Sequence, residues 1–424
     1  MGPLDLGGFA LIWQDPRIET RRDRVLLVGI DGATFRVINP LMAAGRLPNL
    51  KSIARQGVVS PLRSAAPLVS PRIWTTMATG KVPLKHGIHH WIRPGDDGGT
   101  QLNLGTDRLV PALWNITSAH GLTNGVVNWL NTYPPEKVRG VMVSDFAIAG
   151  AREDRERLFA GNREAKGHVD EDVAYPGNWS AILDQLTSEE KLLVDHVNPF
   201  GNNTTLPKWL KQDIPAHSFR DDDLVTRIAL EVEERVRPDV LLVYLSGIDK
   251  VSHNTWGALE PSEKYPPHIR FTDDERAATV AALESYYVYT DKLIGKLLER
   301  YGPNDLVMVV SDHGFEAQLL VQWLTGGHEG PKAIDGVLFA RGSNIPHQRA
   351  TSRPGIADIT PTILAWLGIP VGADMDGRIA DFLKVSSTTA IPSYNDVPVE
   401  RVADDRGEIE DSIIDQLRGL GYVE

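Results

Sequence analysis

The sequence predicts an α/β protein with a mostly parallel central sheet, helices on both faces and an inserted cap region. Three observations lead there. The runs VLLVGI (25–30), VLLVYLS (240–246) and LVMVVS (306–311) are continuously apolar and of strand length, the pattern of strands buried on both faces. Stretches with helical spacing separate these strands, and alternating strands and helices assemble into parallel sheets. Each run is followed closely by an aspartate, Asp31, Asp249 or Asp312, and open parallel sheets bind ligands beyond the carboxyl ends of their strands.

Taken in order, residues 1–24 read as a lead-in whose short apolar patch has no basic region before it, so it does not read as a secretory signal. Asp31-Gly32 stops the first strand. Residues 34–57, interrupted by Pro40 and Pro48, read as two short helices. Ser70-Pro71 then opens a helix that ends near Gly80, with Pro at its first position and Ser placed to cap it. The same place suits an incoming anion, because unpaired amides and the helix dipole converge there. On this segment alone, Ser70 as a cap and Ser70 as a nucleophile both stay open.

Residues 107–121 read as a helix closed by Gly121, and NGVVNWL and VRGVMVS as the next strands. Residues 146–221 turn charged and rich in Gly and Asn, which suits a specificity insertion or cap. RDDDLVTRIALEVEERVRPD is an amphipathic helix, residues 273–302 form a long helix, GVLFARG is a fourth strand and IADITPTILAWLG a late helix. The catalytic α/β domain is therefore expected over 25–384. Residues 385–424 follow as a polar linker and a docking helix.

Composition narrows the function. A formal charge of −12 disfavours a nucleic-acid polymer as partner, and 42% hydrophobic with 24% charged residues is ordinary for a globular chain. With no cysteine, thiolate catalysis, disulfides and Cys-based zinc sites are excluded. No run reaches the length of a membrane span, so the expectation is a soluble, cytoplasmic protein.

Three carboxylates at neighbouring strand ends repel one another unless a cation joins them. Histidines accompany them: His253 lies four residues after Asp249, His313 is adjacent to Asp312, and His328 sits in the Gly-flanked TGGHEG. His86, His168 and His217 have no comparable carboxylate and read as structural or exposed. His89 and His90 remain ambiguous.

GIDG, a Ser before a helix ending in TG and followed by HGI, then DKVSH, SDHGF and GGHEG, together resemble the alkaline phosphatase superfamily over residues 25–381, in particular its type I phosphodiesterase/nucleotide pyrophosphatase branch. The resemblance implies two divalent ions, zinc or alternatively manganese. It assigns Asp31, Ser70, Asp312 and His313 to one ion and Asp249, His253 and His328 to the other. It makes Ser70 the nucleophile of a phosphoserine mechanism on a small phosphate ester. On that mechanism Arg72, His89 and His90 are the expected holders of the equatorial phosphate oxygens, and Trp91 an apolar contact for the substrate. Trp91 is a departure, since many nucleotide-cleaving members carry Asn there. The spacing of Pro71 and Arg72 after Ser70 does not match the formylglycine sulfatases. Phosphomonoesterase or phosphomutase activity on the same core, and a silent metal-stabilised binding module, are the alternatives.

Overall fold

The computed structural model describes residues 23–95, 99–148, 173–188, 192–194, 198–200, 204–210, 213–318, 325–349, 352–385 and 388–402. Nine strands form one sheet among them: β1 (Val25–Ile30), β2 (Val58–Arg63), β5 (Asn124–Val127), β6 (Gly140–Val143), β7 (Ala174–Tyr175), β8 (Val240–Leu245), β9 (Leu306–Val310), β12 (Asp335–Arg341) and β13 (Gln348–Arg349). Three small pairs take the remaining labels: β3 (Ile92–Pro94) with β4 (Thr100–Leu102), β10 (Glu316–Ala317) with β11 (Gly326–Gly327), and β14 (Val371–Gly372) with β15 (Ala390–Ile391).

The sheet order is β13-β2-β12-β9-β1-β8-β5-β6-β7. Strands β9, β1, β8, β5 and β6 are mutually parallel, as expected. The GVLFARG strand β12 differs, running antiparallel to both β9 and β2. Successive residues of β1 alternate between two apolar layers: Leu26 and Val28 face one, Val25 and Leu27 the other. Helices cover both layers, which is why the central strands read as unbroken apolar runs.

The two early helices are Phe35–Ala43, with Pro40 inside it, and Pro48–Gln56, which Pro48 opens. The long helices are Asp213–Arg235 and Asp273–Leu298, the latter started by a capping box between Thr272 and Glu275. Part of the 146–221 segment is integral to the body: it supplies edge strand β7, and Trp179 just before the Ser180–Ser188 helix is buried in the core. At the other end, Asn395 accepts from the buried Lys81 ammonium at 2.8 Å and Val402 donates to the Pro135 carbonyl at 3.0 Å. The expected docking helix beyond residue 402, and residues 1–22 of the lead-in, lie outside the described residues. No described helix is long and apolar enough to cross a membrane.

Candidate active site and metal centre

Strands β9, β1 and β8 are neighbours in parallel register, with Gly29 opposite both Val310 and Tyr244. Their carboxyl ends therefore deliver Asp31, Asp312 and His313 to one place. The chain after β8 turns into the helix Gly247–Thr255, which carries Asp249 and His253 one turn apart. Gly32, at φ +69°, passes so close that a Cβ there would meet the Asp249 Cα at 3.0 Å and the Phe315 ring at 2.6 Å. The second glycine of GIDG thus lets two ligand-bearing segments touch.

The distances confirm the convergence. His313 Nε2 lies 3.3 Å from Asp31 Oδ1, 3.3 Å from Asp312 Oδ2 and 3.9 Å from Asp249 Oδ1. His253 Nε2 lies 3.5 Å from Asp249 Oδ1. The His328 ring stacks on His313 at 4.0 Å and meets that of His253 at 5.2 Å. Two groups have the spacing to hold an ion: Asp249, His253 and His328, and Asp31, Asp249 and His313. The first is the ligand set expected for one ion. The second brings Asp249 alongside Asp31 and His313, so Asp249 stands between the two groups.

The donor set is all acceptor. His313 Nδ1 lies 3.0 Å from the Gly314 carbonyl and His253 Nδ1 2.9 Å from the Gly326 carbonyl. A carbonyl only accepts, so each Nδ1 holds the proton and each Nε2 turns a lone pair toward carboxylate oxygen. Asp31 Oδ1, Asp312 Oδ2, His313 Nε2 and His328 Nδ1 are buried without a hydrogen-bond partner among the described residues. Such a cluster is costly by itself. It fits divalent cations, which need deprotonated carboxylates and neutral imidazoles fixed from behind by carbonyls.

The electrostatics without cations agree. Burial, and then the charge of Asp31, push the Asp312 carboxyl well above the usual carboxylate range. Burial lowers His253 to about 4 and takes His328 well below its ordinary value, with His313 and His253 adding to the latter effect. His253 and His328 are therefore held neutral, the form that binds metal.

Ser70 is the first residue of the helix Ser70–Thr79, and the cap position falls on Val69. Its hydroxyl makes no capping hydrogen bond, and Oγ is buried without a partner among the described residues. The cap reading is overturned because the helix starts one residue early. Its segment is tied to the cluster on both sides of the serine: His328 bonds the backbone of Leu68, and Trp74 Nε1 lies 3.4 Å from Asp31 Oδ2.

Among the other expected substrate residues, Arg72 reaches the Pro67 carbonyl at 2.9 Å, His90 and Trp91 are half-buried and His89 is exposed. The two groups with the spacing to hold an ion include none of these four. His86 is wholly buried and structural. Its Nδ1 accepts from Ile88 N–H at 3.1 Å and its Nε2 faces Thr76 Oγ1 at 3.0 Å, tying the HGI turn to the serine helix. His168 lies outside the described residues and His217 is half-buried. Sequence reasoning missed Tyr244 and Trp74, whose polar tips both reach Asp31 Oδ2. Only their place beside GID and one turn after Ser70 could have signalled them.

A model of the family "Type I phosphodiesterase / nucleotide pyrophosphatase" matches residues 25–319. That range holds six of the seven expected ligands, with His328 beyond it. The 2,3-bisphosphoglycerate-independent phosphoglycerate mutase of Streptomyces coelicolor is 28% identical over 174 residues, 40% of this chain and 30% of that protein. Its namesake from Clostridium beijerinckii is 30% identical over 101 residues, 24% of this chain and 19% of that protein. The chain thus matches less than a third of the length of these curated relatives. In structure, it resembles the alkaline phosphatase PafA (TM-score 0.53, 10% identity, 86% of this chain and 99% of that one). A putative sulfatase from Bacteroides thetaiotaomicron is similar too (TM-score 0.52, 12% identity, 87% and 76%). These likenesses show a shared α/β fold.

Proposed function

The chain belongs to the type I phosphodiesterase/nucleotide pyrophosphatase family, and from that premise we propose that it is a metal-dependent hydrolase of small phosphate esters, of the diesterase or pyrophosphatase kind. The observation that carries the reading is Ser70: a hydroxyl at a helix start, buried without a partner among the described residues, in a segment whose Leu68 backbone contacts His328 and whose Trp74 indole reaches Asp31. The expected ligands are Asp31, Ser70, Asp312 and His313 for one cation and Asp249, His253 and His328 for the other, with zinc or manganese as the metal. Divalent cations would supply the positive charge that this acceptor cluster needs and the Lewis acidity that makes a serine hydroxyl nucleophilic at neutral pH.

Ser70 Oγ would lose its proton and attack phosphorus in line as the bond from phosphorus to the leaving ester oxygen breaks and that oxygen takes up a proton. Water would then cleave the Ser70–phosphorus bond, releasing a phosphate monoester from a diester, or inorganic phosphate from a monoester, and restoring the hydroxyl. Pro71 has no N–H and the Ile73 N–H is engaged by the Val69 carbonyl at 3.1 Å. The amides that the first turn can offer to equatorial oxygens are therefore those of Ser70 and Arg72. The Arg72 side chain, His89, His90 and Trp91 are proposed to contact the rest of the substrate, and residues 146–221 to shape its choice.

The mutase relatives favour a second reading, phosphomonoester hydrolysis or phosphomutase transfer on the same core. Initial rates on bis-p-nitrophenyl phosphate and p-nitrophenyl phosphate decide between them. A preference for the diester supports the leading reading, a preference for the monoester the second. Inactivity of zinc- and manganese-loaded protein on a broad ester panel would leave a binding module.

A further inference from the structure

Asp31 is held from behind by two aromatic side chains. The Tyr244 hydroxyl donates to Asp31 Oδ2, and the Trp74 indole N–H points at the same oxygen from 3.4 Å. Both aromatic residues are buried, and their rings meet edge to face with centroids 5.0 Å apart. A tyrosine O–H can donate only once and an indole N–H only donates, so both protons are committed to one carboxylate oxygen. The other oxygen, Oδ1, has no hydrogen-bond partner among the described residues and lies 3.3 Å from His313 Nε2.

The backbone is built to allow this. Tyr244 stands beside Gly29 across the β1–β8 pairing, two residues before Asp31 and so on the same face of β1. A Cβ on Gly29 would come within 2.5 Å of the Trp74 ring. The missing side chain at 29 is what admits the indole on top of the strand, within reach of the aspartate. Trp74 also sits one turn after Ser70 in the same helix, so the contact couples the position of the serine to that of the carboxylate.

We infer that Tyr244, assisted by Trp74, is a positioning residue that makes Asp31 a one-oxygen metal ligand, committing Oδ2 to aromatic donors and leaving Oδ1 alone to face the cation. The inference rests on the metal reading above. Hydrogen bonds behind a ligating carboxylate fix its orientation, and their loss costs about 10–100-fold in metal affinity. Removing the Tyr244 hydroxyl lets Asp31 rotate or offer both oxygens, and only the site containing Asp31 feels it.

The test is a zinc titration of metal-free full-length protein against a chromophoric chelator. Wild type should bind two zinc ions, and Asp31→Asn identifies the step that involves Asp31 by weakening it. Tyr244→Phe should weaken that same step about 10–100-fold and leave the other within about twofold. Trp74→Phe, which also loses its donor, should act on the same step in the same direction and serves if Tyr244→Phe does not fold. Unchanged zinc affinity in both variants, or equal weakening of the two steps, overturns the inference. A wild-type chain that binds no zinc removes the metal reading itself, a distinct failure.

Discussion

Replacing Ser70 by alanine deletes one oxygen atom, and the structure says what that atom does for the fold. A serine acting as an N-cap would lose a hydrogen bond on truncation and cost about 0.5–2 kcal/mol. Ser70 Oγ makes no such bond: the cap is Val69, and the hydroxyl is buried without a partner among the described residues. Deleting an unsatisfied buried hydroxyl removes a desolvation penalty of about 1–3 kcal/mol and leaves only a one-atom void. The metal-free variant should therefore be as stable as wild type, or more stable, by urea denaturation. Turnover should fall by at least about 10⁴-fold, as expected when the attacking group itself is lost. Stability and turnover are measured on one preparation, and a brief acid quench with labelled ester should trap phosphoserine in wild type only. Near-normal turnover in metal-replete Ser70→Ala would refute the nucleophile. A destabilisation above about 2 kcal/mol would refute the claim that Oγ makes no structural bond.

Further outcomes follow from the same geometry. Chelation should abolish activity and lower thermal stability, and zinc or manganese should restore both; at free metal 100-fold above Kd each site adds about 2.7 kcal/mol. His328→Ala should weaken the step involving Asp249 and His253 more than the other, measured by the same competition titration. His86 is held neutral with its pKa lowered to about 3 by burial. Below pH 6.5 the unfolded chain takes up a proton that the folded one refuses, so stability falls as pH drops from about 6.5 toward 3, by up to about 1.4 kcal/mol per unit. His86→Gln removes that slope, and its deficit against wild type should shrink by about 2–3 kcal/mol between pH 7 and 4.5 in urea titrations. A deficit independent of pH would mean that His86 is not buried neutral.

The parallel centre of the sheet was legible because β1, β8 and β9 are covered on both faces and leave no polar residue to interrupt the pattern. Strand β2 was not: its buried residues alternate with half-buried or exposed ones, and it includes Pro61, which reads as a break. Strand β7, two residues long, carries no periodicity at all. Within the site, carboxylates and imidazoles announce themselves wherever they stand beside apolar runs. Tyr244 and Trp74 do not, since an aromatic ring in a buried strand or helix fits the core equally well and only coordinates reveal where its one donor points. The Ser70 cap was misread for a related reason: Ser-Pro fits either the cap and first position or the first two helical positions, and the difference is a single residue of helix.

The long sequence separations across the site bear on how the chain acquires it. The Gly32 amide reaches Asp312 Oδ1 across 280 residues, and Tyr244 reaches Asp31 across 213. In between, β8 and β9 must each insert beside β1, so β1 is flanked by partners made long after it. During synthesis a nascent chain of 240 residues contains Asp31 and Ser70 but none of the histidines that would share a cation with them. Closing such distant loops is slow, because their entropy is lost before any contact rewards it. On the proposed ligand sets, neither cation site is complete until His313 and His328 have been made: a product truncated before Asp249 holds Asp31 and Ser70 without the histidines proposed to share a cation with them.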